Sequence, residues 1–171
     1  AIPTYNRSGN LDQLLGSLMP QAISEGRVEV LVSDNCSTDD TPAVVARFRH
    51  AGWDLVSIRN EVNIGADANF LQCFEKGSGK YVWIFGDDDF IAPGGLAKVV
   101  TLLAGNDYSL AYVTPYGFTG DYIPQNPPDK LGRTAEKLPN GLELARRAGT
   151  MIAFVSAMIV NKNHYYAKQR Q

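Results

Sequence analysis

The chain has 171 residues, of which 44% are hydrophobic and 20% charged, and its formal net charge at pH 7 is -2. This composition is typical of one soluble globular domain, and a net charge near zero argues against a nucleic-acid binder. The longest apolar stretch, residues 151–160, is too short to cross a bilayer, and no signal peptide is evident. The chain has only two cysteines, Cys36 and Cys73, which fall in a predicted loop and a predicted helix and lack metal-ligand spacing. We therefore expect a reducing, cytoplasmic setting.

Segments with strand and helix patterns alternate along the first hundred residues. The chain opens inside a strand that ends near Pro3, without a methionine, so we expect it to be part of a longer protein. The first helix is predicted to begin near Ser8 and to end near Pro20. The next predicted strands cover residues 28–34, 54–58 and 81–85, and the next predicted helices begin near Pro42, near Ala66 and at residues 93–95.

Four such alternations predict a Rossmann-like α/β fold, in which a mainly parallel central sheet is flanked by helices. The dinucleotide-binding fingerprint Gly-x-Gly-x-x-Gly does not follow the first strand. Residues 77–80, Gly-Ser-Gly-Lys, precede a strand instead of joining a strand to a helix. We therefore interpret them as a turn and not as a phosphate-binding loop.

The fourth strand is a run of large apolar residues that ends abruptly in Asp87, Asp88 and Asp89. Ligands of open α/β sheets bind beyond the carboxyl ends of the strands, which is where these acids project. One interpretation is a solvated acidic loop or a helix-capping cluster. The other is a site for a hard divalent cation that holds a phosphate-bearing substrate, because a cation relieves the repulsion between like charges.

Four motifs, in their order and spacing, resemble the family 2 glycosyltransferases of the GT-A fold. They lie at residues 2–7 (Ile-Pro-Thr-Tyr-Asn-Arg), 32–41, 63–65 (Asn-Ile-Gly) and 86–89 (Gly-Asp-Asp-Asp). The version at residues 83–89 is most similar to bacterial transferases that decorate O-antigen or other surface polysaccharides. The resemblance implies a metal-dependent, inverting transfer of a sugar from a nucleotide-diphosphate donor to a saccharide or lipid-linked acceptor.

The same resemblance assigns residues to the donor site. The loop after the first strand lines the nucleotide, and Asp34, with Asn35 beside it, contacts the base or ribose. Alternatively, Asp34 and Ser37 form only a turn and cap, and Asn63 and Gly65 only shape a helix entry. The residues implied for the nucleotide-sugar site are Pro3, Thr4, Tyr5, Arg7, Asp34, Asn35, Asn63, Gly65, Asp87 and Asp88.

The implied cofactor is Mg²⁺ or Mn²⁺, with Asp87 and Asp89 as its ligands and Asp88 in support. Such ions take oxygen ligands and often need only one or two carboxylates plus the phosphates of a substrate. Bound to the departing nucleoside diphosphate, the ion stabilises developing negative charge. The resemblance also implies a single GT-A-like catalytic domain over residues 1–171, in which residues 1–105 bind the nucleotide sugar and residues 106–171 form part of the acceptor side.

The sequence departs from the family in two places. The helix after Asn63 is usually entered through an arginine-asparagine pair, whereas this chain has Asp67-Ala68-Asn69, which leaves a donor-side cation in doubt. The general base, an Asp or Glu well downstream of the metal motif, is expected beyond Gln171. The acids that follow the motif are Asp107, Asp121, Asp129, Glu136 and Glu143.

The second half predicts a strand over residues 109–114, a helix over 141–148 and a buried strand over 151–160. The long loop between residues 115 and 139 carries aromatic residues that either stack on an acceptor sugar or pack locally. A lipid-linked acceptor would bring the protein to the inner face of a membrane. Two alternatives remain open at this point: a nucleotidyltransferase, and a nucleotide-sugar-binding domain without catalysis.

Overall fold

A computed structural model describes residues 1–117 and 135–170 of the chain, except for the side chain of Ile152. The first half contains β1 (Ile2–Thr4), α1 (Ser8–Glu25), β2 (Val30–Asp34), α2 (Thr41–His50), β3 (Leu55–Arg59), α3 (Ala66–Lys76), β4 (Tyr81–Trp83) and α4 (Gly95–Ala104). The second half contains β5 (Leu110–Tyr112), α5 (Gly141–Ala148), two 3-10 turns (Gly149–Ala153 and Val155–Ala157), β6 (Met158–Asn161) and α6 (Lys162–Gln169).

The strands form two three-stranded sheets. In the first sheet β1, β2 and β3 are parallel, with Ile2 opposite Val32 and Val30 opposite Leu55. In the second sheet β6 lies between β4 and β5 and is antiparallel to both. The parallel sheet flanked by helices agrees with the predicted α/β class, whereas the antiparallel second sheet is a difference from the predicted arrangement.

Backbone hydrogen bonds join the two sheets. The nitrogen of Ala1 donates to the carbonyl oxygen of Trp83 (2.8 Å), and the N–H of Phe85 donates to the carbonyl oxygen of Ala1 (2.9 Å). Two bonds that flank Ile84 in this way follow the pattern of parallel strands. The carboxyl ends of β1, β2 and β4 therefore meet at one edge, where the motifs after these strands lie together.

The core lies between α1 and the parallel sheet. Ile23 of α1 is exposed, but six apolar residues of the helix recur at helical spacing and face inward. They are Leu11, Leu14, Leu15, Leu18, Met19 and Ala22, which are buried. The helix continues past Pro20, contrary to the prediction, although a proline inside a helix removes one backbone hydrogen bond. It ends at Gly26, whose φ of 67° is the left-handed geometry that favours glycine.

Two apolar runs are less regular than predicted. Pairing of β4 with β6 ends at Trp83, so β4 is shorter than the predicted strand over residues 81–85, although the N–H of Phe85 still donates to the carbonyl oxygen of Ala1. The predicted strand over residues 151–160 consists of 3-10 turns as far as Ala157 and a strand only from Met158. Met151, in the first of these turns, is exposed, whereas Ser156 and Ala157 in the second are buried.

Within residues 1–117 and 135–170, no helix is both long and apolar enough to span a membrane.

Candidate functional site

The loop after β1 is bonded to the acidic residues after β4. Asp87 is only 6% exposed, and each of its carboxylate oxygens has a partner from that loop. Thr4 Oγ1 donates to Oδ2 (2.8 Å), and Arg7 Nη1 donates to Oδ1 (2.8 Å). Arg7 Nη1 also donates to Asp88 Oδ2 (2.8 Å). Hydrogen bonding to Asp87, and then to Asp88, raises the pKa of Arg7, so a fixed positive charge stands beside the acids.

Asp89 has a different environment. Its Oδ2 atom accepts a hydrogen bond from Ser156 Oγ (2.5 Å), and the same hydroxyl accepts one from the N–H of Gly86 (2.8 Å). Burial raises the pKa of Asp89; the Ser156 bond lowers it, and the charges of Asp88 and Asp87 raise it further. A carboxyl group under this repulsion gains from a nearby cation.

The residues of this acidic loop fit a hard divalent cation. Asp88 is exposed and Asp89 half-buried, so both are accessible, whereas the oxygens of Asp87 already have protein partners. Within the described residues no group of three or more His, Cys, Asp or Glu side chains could hold a metal ion. The loop therefore suits an ion that takes one or two carboxylates and completes its shell with phosphate oxygens and water.

Asp34 lies at the end of β2 and is 2% exposed. Its Oδ1 accepts a hydrogen bond from the N–H of Ser37 (2.8 Å). This bond closes the turn that was the alternative interpretation of Asp34 and Ser37. The buried Oδ2 of Asp34 has no hydrogen-bond partner among the described residues and lies 3.4 Å from Nε of Arg59. A ligand that bonds this oxygen would compete with the half-exposed Arg59 side chain.

Asn35 braces the loops that follow β2 and β3. Its Nδ2 donates to Asn63 Oδ1 (2.9 Å) and to the carbonyl oxygen of Gly65 (3.2 Å). Its Oδ1 accepts from the N–H of Ile64 (3.0 Å) and from Asn60 Nδ2 (3.0 Å). Gly65 precedes α3 with a φ of 88°, so the loop does shape a helix entry. That Asn35, Asn63 and Gly65 also contact the nucleotide sugar stays a prediction.

The two remaining residues predicted for the nucleotide site differ in accessibility. Pro3 is buried in β1 opposite Ser33, so its side chain packs within the sheet and is not accessible to a ligand. Tyr5 is 43% exposed, so its ring is free to contact a ligand. The structure thus brings the predicted residues of the first, second and fourth motifs to one edge of the sheet.

Sequence reasoning missed several residues that hold these loops together. The backbone N–H of Asn6 (φ 53°) donates to Ser37 Oγ (2.9 Å), and its side chain accepts from the N–H of Thr38 (2.7 Å). Asp39 accepts from the N–H groups of Ser8 (2.9 Å) and Thr41 (3.0 Å). Asp39 was recognisable as a helix-start residue of α2, but its bond to Ser8 crosses between motifs.

Ser156 is the other missed residue, and it comes from the second half of the chain. The sequence predicts Ser156 inside a buried apolar strand, where the pattern assigns no hydrogen-bond partner to its hydroxyl. The available signal was that Ser156 is the one polar residue in the run from 151 to 160. An isolated buried hydroxyl needs a partner, although the sequence does not identify Asp89 as that partner.

The departures from the family pattern have structural explanations. Asn69 is buried in α3, where its Oδ1 accepts from Ser33 Oγ (2.7 Å) and its Nδ2 donates to the Ser33 carbonyl oxygen (3.1 Å). It therefore ties α3 to β2. The two residues before it, Asp67 and Ala68, are exposed and supply no cation.

The later acids that the structure describes take part in ion pairs. Asp107 pairs with Lys80 (2.7 Å), before β4 and thus at the end of the sheet opposite the acidic loop. Glu136 and Glu143 both pair with Arg147. Asp121 and Asp129 lie outside the described residues. The general base expected beyond Gln171 stays a prediction.

The chain is similar in sequence to a known protein family. The family model described as glycosyl transferase family 2 matches residues 1–166. The chain is 34% identical over 178 residues to abequosyltransferase RfbV of Salmonella typhimurium, across 97% of this chain and 53% of that protein. The chain therefore spans about half the length of this relative.

Solved structures show the same fold. The crystal structure of S. aureus TarS 1-349 in complex with UDP-GlcNAc matches with a TM-score of 0.73 and 23% identity, over 99% of this chain and 46% of that chain. Mannosyltransferase PcManGT from Pyrobaculum calidifontis, in complex with GDP-Man and Mn²⁺, matches with a TM-score of 0.59 and 25% identity, over 67% and 34% of the respective chains. The predicted GT-A fold is confirmed.

Proposed function

The chain belongs to glycosyl transferase family 2, and from this premise we propose that it forms the donor-binding part of a bacterial surface-polysaccharide glycosyltransferase. The enzyme would move a sugar from a nucleoside-diphosphate donor to a saccharide or lipid-linked acceptor. One observation carries the proposal: Thr4 and Arg7 are hydrogen-bonded to Asp87 at the edge where β1, β2 and β4 end. Family membership removes the nucleotidyltransferase alternative.

The nucleotide is proposed to lie across the ends of β1 and β2. Tyr5 offers an accessible aromatic face, and Asp34 offers a buried carboxylate oxygen that lacks a hydrogen-bond partner among the described residues. A ribose hydroxyl or a base N–H would satisfy that oxygen once the Arg59 side chain moves. Asn35 would act indirectly, by bracing the loop of Asn63 and Gly65 against this end of the sheet.

The diphosphate is proposed to lie beside Arg7 and the three aspartates. The guanidinium of Arg7 would meet phosphate oxygens, while its bonds to Asp87 and Asp88 hold it in place. Asp89 is the metal ligand that the geometry favours. Asp87, the second predicted ligand, already accepts one hydrogen bond at each carboxylate oxygen, and the exposed Asp88 follows it in the chain.

The cation and Arg7 would stabilise the departing nucleoside diphosphate. A bound Mg²⁺ or Mn²⁺ supplies Lewis-acid stabilisation of the charge that develops on the departing nucleoside diphosphate. Arg7 adds a second positive charge that Asp87 has already oriented, which reduces the reorganisation required when the sugar-phosphate bond breaks. The acceptor hydroxyl would attack from the face opposite the leaving group, and a general base would remove its proton.

A second candidate, donor binding without transfer, is supported by the ion pairs of the later acids. Asp107 lies at the far end of the sheet, and Glu136 and Glu143 are held by Arg147. Each of these three described acids is therefore engaged in an ion pair. Association with a membrane through a lipid-linked acceptor, and a cytoplasmic location, stay predictions.

A thermal-shift panel tests the proposed function. The chain is mixed with UDP, GDP, CDP or dTDP, each with Mn²⁺ and with a chelator. A ligand at a hundred times its dissociation constant adds about 2.7 kcal/mol to the free energy of unfolding, which raises Tm by several degrees. We expect one nucleotide to raise Tm, and to do so more strongly with Mn²⁺. No shift with any nucleotide would contradict the proposed donor site.

A further inference from the structure

Ser156 lies in the 3-10 turn Val155–Ala157, directly before β6, and is 6% exposed. Its hydroxyl oxygen accepts a hydrogen bond from the N–H of Gly86 and donates one to Oδ2 of Asp89. A backbone N–H can only donate and an ionised carboxylate can only accept, so the direction of both bonds follows from their chemistry. The single hydroxyl proton of Ser156 is therefore committed to Asp89.

Close packing at Gly86 strengthens this link. A Cβ atom at position 86 would lie 2.6 Å from Oδ2 of Asp89 and 3.3 Å from Oγ of Ser156. The first distance is shorter than any stable contact, so only glycine allows the carboxylate to lie against the backbone here. Because Oδ2 is held between Gly86 and Ser156, the carboxylate has little freedom to rotate, and Oδ1 is its remaining oxygen.

The turn that carries Ser156 does not depend on this hydroxyl. The backbone carbonyl oxygen of Ser156 accepts a hydrogen bond from Trp83 Nε1 (2.8 Å). The next carbonyl, that of Ala157, accepts one from the N–H of Val113 (2.8 Å). Both bonds survive when the serine hydroxyl is removed, so the fold of the turn and the position of Asp89 can be tested separately.

We propose that Ser156 is a positioning residue that holds Oδ2 of Asp89 and so leaves Oδ1 for the cation of the donor site. The inference rests on the proposed function, because it presupposes Mg²⁺ or Mn²⁺ at Asp89. Hydrogen-bond partners of metal-binding carboxylates orient their ligands, and their removal typically costs about 10- to 100-fold in metal affinity. The second half of the chain thereby contributes to the donor site.

The experiment measures two quantities for each variant. One is the affinity for the nucleoside diphosphate in the presence of a chelator, using whichever of UDP, GDP, CDP and dTDP the wild type binds. The other is the Mn²⁺ concentration that half-saturates the metal-dependent increase in that affinity. The variants are Ser156→Ala, Ser156→Thr, which keeps the hydroxyl, and Ser109→Ala, a matched control whose hydroxyl contacts His164 instead of an acid of the loop.

Ser156→Ala is expected to raise the half-saturating Mn²⁺ concentration by about tenfold or more and to leave metal-free nucleotide affinity unchanged. Ser156→Thr should recover most of the loss, and Ser109→Ala should match the wild type. If the wild type shows no metal-dependent binding, the proposed function and this inference both fail. If the wild type does but Ser156→Ala matches it, or loses metal-free affinity equally, only the positioning role is overturned.

Discussion

Arg7 Nη1 lies 2.8 Å from Oδ1 of Asp87, although the two residues are 80 positions apart in the chain. Asp87 is buried, whereas half of the Arg7 side chain is exposed to solvent. The pair therefore joins two motifs at the sheet edge and still presents a positive charge to a ligand. Both roles can be separated by substitution.

Arg7→Ala should weaken nucleotide binding at least tenfold, because the diphosphate loses a charged hydrogen-bond donor. It should also lower the free energy of unfolding by about 1 kcal/mol, since the buried carboxylate keeps Thr4 as a partner and Arg7 is partly screened by solvent. Nucleotide titration and urea denaturation measure the two effects. Arg27→Ala is the control, because the exposed Arg27 pairs with Glu25 away from the acids. Equal effects of both substitutions on nucleotide binding would contradict the assignment.

Gly86→Ala should abolish metal-dependent nucleotide binding, because the added methyl group would displace the Asp89 carboxylate that it meets at 2.6 Å. The cost in stability should be about 1–3 kcal/mol, which is typical of overpacking. Gly105→Ala serves as the control, since a Cβ atom there meets nothing within 4 Å. Nucleotide titration with and without Mn²⁺ measures the effect, and retention of the full metal dependence in Gly86→Ala would show that the Asp89 carboxylate is not needed.

Asp39 should contribute to stability in a pH-dependent way. Burial raises the pKa of Asp39, but hydrogen bonds from Thr41 and Ser8 outweigh it and lower that pKa to about 2. Because the pKa in the unfolded chain is higher, near 3.9, the stabilisation is present above about pH 4 and is lost as the pH falls towards 2. Asp39→Asn should therefore be less stable than the wild type at pH 7, by about 1 kcal/mol.

The check is urea denaturation of both proteins between pH 7 and pH 2. The difference in free energy of unfolding should shrink as the pH falls from 4 to 2. A difference that stays constant over this interval would show that the Asp39 charge contributes nothing. Asp40→Asn is the control, because Asp40 is the exposed neighbour of Asp39.

The two cysteines should differ in reactivity. Cys73 is fully buried in α3, and burial raises the pKa of its thiol to about 11. Since the thiolate is the nucleophile, Cys73 should stay unmodified by a thiol reagent at pH 8 in the native protein. Cys36 is only half-buried and should react. Thiol titration should therefore find one group in the native wild type, none in native Cys36→Ser and both in the unfolded wild type; rapid modification of native Cys36→Ser would contradict this burial.

The local periodicity of the sequence was sufficient to predict most helices. The bounds of α3 (Ala66–Lys76) and α5 (Gly141–Ala148) agree with the prediction, because apolar spacing and capping residues are local signals. The run from 151 to 160 was predicted wrongly, since apolar composition alone does not distinguish a buried strand from a turn that packs against another element. The antiparallel direction of β6 follows from long-range pairing, which a single sequence does not show.

The site was only partly predictable for the same reason. The order of the motifs indicated that the loops after β1, β2 and β4 share one edge, because carboxyl ends of parallel strands meet there. The individual contacts, Arg7 with Asp87 and Ser156 with Asp89, join residues 80 and 67 positions apart. Such contacts depend on how the sheets are assembled, so no local pattern identifies them.

The most direct test of the central claim, metal-dependent donor binding at the acidic loop, is anomalous X-ray scattering from crystals of the chain soaked with Mn²⁺ and the nucleoside diphosphate that it binds. The account predicts a Mn²⁺ peak at coordination distance from the Asp89 carboxylate, with the diphosphate between this ion and Arg7. A nucleotide bound in the crevice without Mn²⁺ at Asp87, Asp88 or Asp89, or a Mn²⁺ peak at some other place on the chain, would contradict it.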